Sequence, residues 1–185
     1  MSEDFRILPH DLVAEQSVLG AVFISPETMI SLADELTPDD FYKPANKIVF
    51  KTMLSLLEKG EPIDATTMVS ALTNQGDISN IGGINYVVEL VNSTPTSKNV
   101  EHYAKLVKEK ATLRKVIAEL SESLSSAYQG DISINEIIEK TEKSMLDISN
   151  QNAGTGFRNV ADILDTHMQI VETRSQTDGF VTGLS

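Results

Sequence analysis

Residues 98–149 read KNVEHYAKLVKEKATLRKVIAELSESLSSAYQGDISINEIIEKTEKSMLDIS, and this stretch decides the fold. In its first half Leu106, Leu113, Ile117, Leu120, Leu124 and Ala127 follow at spacings of seven, four, three, four and three. In its second half Ile134, Ile138, Thr141, Met145 and Ile148 step by four, three, four and three. This rhythm predicts a narrow apolar stripe on one side of each of two helices, the pattern of a coiled-coil seam. Gly130 can take the left-handed conformation that ends the first helix. Ser133-Ile134-Asn135-Glu136 has the form of a capping box that starts the second. So short a link makes the two helices antiparallel neighbours. The first should be roughly 45 Å long at 1.5 Å per residue. One helix pair with a single seam needs a third surface, either the rest of the chain or a second copy of itself.

Upstream, residues 1–9 read as an arm and 10–97 as a globular bundle of about five short helices. Asp11, after Pro9, should start the first, with Leu12, Val18, Leu19, Val22 and Phe23 on one face. Gly20 within it costs about 1 kcal/mol against alanine, which close approach by another helix can offset. Ser25-Pro26-Glu27 predicts a fresh start, with cap, proline at the first helical position and acid in the first turn. That second helix carries Met29, Ile30, Leu32, Ala33 and Leu36. Thr37-Pro38-Asp39-Asp40 repeats the device and delivers Phe41 and Tyr42, read as core anchors. A third helix over 46–59 turns Ile48, Val49, Met53, Leu54, Leu56 and Leu57 inward, and Gly60 and Pro62 end it. Asp64 caps a fourth over 65–74, with Met68, Val69 and Leu72 inward. Ile81-Gly82-Gly83 is a turn, and a fifth helix follows with Tyr86, Val87, Leu90 and Val91. Thr94-Pro95-Thr96-Ser97 breaks the chain before the hairpin.

Downstream of the hairpin, 150–158 is polar and glycine-bearing and reads as a flexible linker. Asn159 then caps an amphipathic helix over 159–174, with Val160, Ile163, Leu164, Met168 and Val171 on one side. A lone helix of that length lacks a core of its own and should dock on another surface. Residues 175–185 read as a connection onward, and the chain as a piece of a longer protein. The fold class expected is all-α: a compact bundle, a long antiparallel helical hairpin and a detached linker helix.

Leu, Ile, Val, Ala and Met supply most of the 41% hydrophobic content, aromatics are 5%, and tryptophan and cysteine are absent. Without cysteine there is no disulfide framework and no thiolate metal site. The net charge of −12 argues against a domain that grips nucleic acid by itself. No apolar run approaches the ~20 residues of a membrane span, and the acidic opening Met1-Ser2-Glu3-Asp4 lacks the basic start of a signal peptide. His10, His102 and His167 are far apart and have no metal-ligand neighbours at helical spacing. Gly82-Gly83 and Gly154-Thr155-Gly156 complete no phosphate-binding pattern. No catalytic, cofactor or metal residue is therefore assigned. Lys105, Lys108, Lys110, Arg114 and Lys115 form a basic cluster, either a solvated helix face or a patch for DNA or an acidic partner. Two rival classes remain: a free-standing helical adaptor, and a small all-α hydrolase that would need shifted carboxylates around His102.

The order of motifs says more than any one of them. Glu15-Gln16-Ser17-Val18-Leu19-Gly20-Ala21-Val22-Phe23 comes first, then Asp40-Phe41-Tyr42 and Gly60-Glu61-Pro62-Ile63-Asp64. Ile81-Gly82-Gly83 with Tyr86 follows, then Thr94-Pro95-Thr96 with Asn99, Tyr103-Ala104 and Val107. From about Pro9 to the end this resembles the N-terminal domain and linker helix of bacterial or phage replicative DNA helicases of the DnaB type. The resemblance implies a collar in a ring-shaped homohexamer, assembled as dimers that pair through their hairpins. It implies unwinding of DNA 5′ to 3′ around an encircled single strand, by a separate ATPase domain that uses ATP and Mg2+. Primase and a helicase loader are the implied partners, and the bacterial cytoplasm (or a phage host's) the implied location. On this resemblance Leu113, Ile117, Leu120, Leu124, Ile134, Ile138 and Met145 are expected to self-associate. Tyr86 and Ile117 are expected at the primase or loader contact, on the exposed edge of the fifth helix and the hairpin. Ile163, Leu164, Met168 and Val171 are expected to dock on a neighbouring subunit. The 119–127 segment is rich in serine and glutamate, where cellular relatives are often more basic or apolar.

Overall fold

The computed structural model describes residues 7–93, 97–130 and 132–152, the side chains of the last two excepted. The chain divides into units 1–148 and 149–185, and of the second only the end of the final helix is described. The expectations for the arm over 1–6, Thr94-Pro95-Thr96, the linker over 153–158, the 159–174 helix with Ile163, Leu164, Met168 and Val171, and 175–185 lie outside the described residues, while 150–152, expected in the linker, continue the final helix.

Among those residues there are helices and no strand. They are α1 (Leu12–Ile24), α2 (Thr28–Glu35), a 3-10 turn (Pro38–Asp40), α3 (Pro44–Lys59), α4 (Ala65–Gln75), α5 (Ile84–Ser93), α6 (Val100–Gln129) and α7 (Ile134–Asn152). Local chemistry explains most boundaries. Asp11 Oδ1 accepts from the Ala14 amide at 2.9 Å and starts α1. Asp64 Oδ1 accepts from the Thr67 amide at 2.8 Å and starts α4. The Thr67 amide holds the Asp64 carboxyl below its ordinary range. That contribution to stability is present above the ordinary carboxylate range and is lost as pH falls through the lowered value. Gly60, at φ 67°, closes α3 in the left-handed conformation, where a β-carbon is strained.

Two starts differ from expectation. α2 begins at Thr28, because the Ser25 carbonyl accepts from both the Thr28 amide (3.0 Å) and its hydroxyl (2.7 Å). Ser25-Pro26-Glu27 is therefore a turn rather than the first helical turn. α3 begins two residues early, because Pro44 suits the first helical position.

α1 lies at the centre. It packs on α5 and α6, and Gly20 is buried along with Ala14, Val18, Leu19, Ala21 and Val22. Around it Met29, Leu32, Phe41, Phe50, Met53, Leu56, Met68, Leu72, Val87 and Leu90 complete the core. Phe50, which the 3.6-residue count left out, faces Phe41 with ring centroids 4.8 Å apart. Leu12 and Ile30, expected inward, are exposed at 39% and 61%. Each sits where no described element covers it.

Two buried carboxylates tie the elements together. Glu15, on α1, accepts from the Tyr42 amide (2.6 Å), the Lys43 amide (3.3 Å) and Asn46 Nδ2 (2.7 Å). Asn46 Oδ1 in turn accepts from the Tyr86 hydroxyl at 2.5 Å, so α1, α3 and α5 meet in one chain of hydrogen bonds. Asp40 accepts from the Thr37 amide (2.8 Å) and hydroxyl (3.0 Å) and from Lys108 Nζ (2.9 Å). It thereby joins the 3-10 turn to α6. Tyr86→Phe should lower unfolding free energy by about 1 kcal/mol, read from urea denaturation. A cost near zero would mean that the hydroxyl adds nothing to the network.

Candidate assembly surface

α6 has three uses for its circumference. Val100, Ala104, Val107 and Ala111 are buried against the bundle, at spacings of four, three and four. Beyond Ala111 no described residue of α6 or α7 is buried. The helices are antiparallel, as expected: Ser123 Oγ lies 2.7 Å from Thr141 Oγ1, and Lys140 Nζ 2.5 Å from Glu122 Oε1. Gly130 ends α6 at φ 70°, and Ser133 Oγ accepts from the Glu136 amide at 3.3 Å. Near the turn the space between the helices is lined by Glu122, Ser123, Ser126, Ile132, Ile137 and Lys140.

The α6 stripe is therefore not the seam that closes the hairpin. Residues facing α7, such as Ser123, stand one position before stripe residues such as Leu124, and one position is about 100° of rotation. The α6 stripe is turned outward, and so is the start of the α7 stripe at Ile134 and Ile138, whereas Thr141 faces α6 and Ile148 is half-buried. Leu113, Ile117, Leu120, Leu124, Ile134 and Ile138 are exposed by between 38% and 73%. Met145 is half-buried. Leu146 and Tyr128, which the repeat did not select, are exposed as well, at 61% and 85%. The only signal for them was a large apolar side chain in an otherwise polar segment.

The basic cluster is largely occupied. Lys108 pairs with Asp40 at 2.9 Å, and Lys115 lies 3.8 Å from the other Asp40 oxygen. Arg114 donates to the Asp40 carbonyl at 2.6 Å and to the Pro9 carbonyl at 2.9 Å. Asp40 is 1% exposed, so its buried charge draws the two lysines in. Lys105 is exposed and Lys110 half-buried. The five do not form one solvent-facing patch.

Tyr86 is also corrected. It is 6% exposed, its hydroxyl bound to Asn46 and its ring covered by Lys43 Nζ at 3.9 Å. The α5 edge that faces outward is instead Ile84 and Val88, exposed at 55% and 49%. Ile117 is exposed, as its proposed contact role requires.

The hydrolase reading finds no support around His102. The histidine is exposed, and its ring contact is Tyr103. The carboxyl that partial burial raises, Glu35, interacts with Lys105, Glu101 and Lys108 and not with the histidine. An open cleft of about 430 Å³ lies elsewhere, between α3 and the end of α4, lined by Ile48, Lys51, Thr52, Ser55, Gln75 and Asp77. Its buried hydroxyl, Thr52, is engaged with Ile48 O and Gln75 Oε1. Among the described residues no group of three acids or histidines could hold a metal, and no helix is long and apolar enough to cross a membrane.

The architecture is thus a helical bundle that carries a two-helix stalk with apolar side chains exposed along it. The family model described as the DnaB-like helicase N-terminal domain matches residues 7–109. The chain belongs to that family. It is 34% identical to the replicative DNA helicase DnaB of Geobacillus stearothermophilus, over 100% of this chain and 41% of that protein. It is 32% identical to the replicative DNA helicase DnaC of Bacillus subtilis, over 97% of this chain and 39% of that protein. The chain thus spans about two-fifths of the length of these curated relatives. The crystal structure of the N-terminal domain of DnaB helicase from Mycobacterium tuberculosis is similar, with a TM-score of 0.72 at 34% identity. It covers 76% of this chain and 99% of that one. A DnaB-like replicative helicase, described with its interactions with primase, shares the fold at a TM-score of 0.65 and 22% identity, over 95% of this chain and 37% of that one.

Proposed function

We propose that this chain is the N-terminal collar of a ring-shaped replicative DNA helicase. Its work is assembly and recruitment; ATP hydrolysis with Mg2+, and DNA unwinding, belong to another part of the parent protein. The observation that carries this reading is the outward stripe on both helices of the hairpin, in a member of this family. Two copies of such a stripe are self-complementary about a twofold axis, so hairpins pair into dimers and dimers close into a hexamer around single-stranded DNA. The relatives are replicative helicases, which favours this reading over a free-standing adaptor. Primase and a helicase loader are the proposed partners, and the cytoplasm the proposed location. The description of one structural relative with primase supports the recruiting role. Ile84 and Val88, in place of the buried Tyr86, are the surface proposed for that contact, while Ile117, which lies in the pairing stripe, is assigned to the dimer.

Light scattering across a range of concentrations tests the assembly. Dimers that grow into hexamers are expected, and a chain that stays monomeric throughout overturns the pairing. A bacterial primase should bind the chain, and Val88→Asp should weaken that binding while leaving the oligomeric state unchanged. The clean chain should not hydrolyse ATP, and turnover by it would place catalysis in the wrong part of the protein.

A further inference from the structure

We infer that the outer half of the hairpin, residues 116–149, is completed as a folded element by a second copy of the chain rather than by contacts within one chain. This rests on the pairing proposed above and adds that association and ordering of the stalk are one event.

The contacts inside one chain are too weak to hold this segment. α6 is anchored as far as Ala111 and through Arg114 and Lys115, and beyond them no described residue of the hairpin is buried. Among the described residues the polar contacts between the helices are the hydroxyl pair Ser123–Thr141 and the Lys140–Glu122 ion pair, whose side chains are 54% and 57% exposed; Ile132 and Ile137 line the same space and, like Val116, Met145 and Ile148, are only half-buried. A hydroxyl pair and an exposed ion pair each contribute little net free energy. Glu119 opposes closure, because one carboxylate oxygen is buried there with no hydrogen-bond partner. Ser121, Ser123, Ser125 and Ser126 are weak helix formers. Helices without tertiary packing are marginal in water.

The apolar surface that could supply the missing driving force faces away from the chain's own seam. Leu113, Ile117, Leu120 and Leu124 on α6, with Ile134 and Ile138 on α7, lie outward at the 4-3-4 spacing that knobs-into-holes packing requires. Such a stripe fits a copy of itself: two hairpins laid face to face make a four-helix bundle with the stripes as its core. The second copy is thus the occupant that the geometry selects.

Amide hydrogen exchange and light scattering on the full chain, over one concentration range, test this. Protection of 116–149 should rise at least about tenfold as dimer replaces monomer, while bundle amides stay unchanged. Leu120→Asp should hold the segment at the monomer's low protection with the bundle intact. Glu119→Leu combined with Ser123→Ala repacks the inner seam and should make protection less dependent on concentration. A chain that dimerises with 116–149 equally protected in monomer and dimer overturns the inference and leaves the collar reading standing. A chain that never associates overturns both.

Discussion

Leu120→Asp should leave the chain monomeric at concentrations where the unmodified chain is dimeric. Leu120 lies midway along the α6 stripe and is 51% exposed within one chain, so the substitution leaves the bundle core untouched. In a twofold pair it enters the interface from both sides. Each fully buried leucine contributes roughly 1.5–3 kcal/mol, and two buried, unpaired aspartates cost more than the lost transfer alone. Dimer affinity should therefore fall by at least about a hundredfold. Light scattering reads the mass directly. An unchanged mass would show that the stripe is not the pairing surface.

Glu15→Ala should be the most destabilising single change in the bundle. Glu15 is 1% exposed, and three donors converge on it: the Tyr42 amide, the Lys43 amide and Asn46 Nδ2. Alanine leaves all three buried without an acceptor, a loss of about 3 kcal/mol or more. Glu15→Gln keeps one acceptor oxygen but sets an amide group among these donors, so an intermediate loss is expected. Urea denaturation should rank the chains native, glutamine, alanine. A cost below about 1 kcal/mol for alanine would mean that the 42–46 segment is held by the Phe41 and Phe50 packing instead.

These two residues differ in how far sequence alone reveals them. The stripe with Leu120 is visible as spacing, because helical periodicity is a property of the local chain. Its destination is not. Whether a 4-3-4-3 stripe closes its own hairpin or faces outward depends on a rotation of about 100° per residue. That rotation is set where α6 docks through Val100, Ala104, Val107 and Ala111. Glu15 gives no signal of its role, since a glutamate in an amphipathic helix reads as a solvated side chain. Its burial follows from partners 27 to 31 residues away. The basic cluster misleads for the same reason: its partner sits 68 to 75 positions upstream at Asp40, whose carboxylate takes Lys108 and Lys115 and whose carbonyl takes Arg114. Tyr86 is legible as an aromatic in a motif, but its burial against Asn46 and Lys43 is not.

By itself the sequence determined the helical class, the caps at Asp11 and Asp64, the turn at Gly130 and the existence of an apolar stripe on a helical hairpin. All of these depend on residues within about one or two helical turns of one another. Only the tertiary structure decided that the stripe faces outward, that Tyr86 is core and that most of the cations serve Asp40. Those outcomes depend on which distant surfaces meet, and burial and charge pairing act through space without regard to separation along the chain.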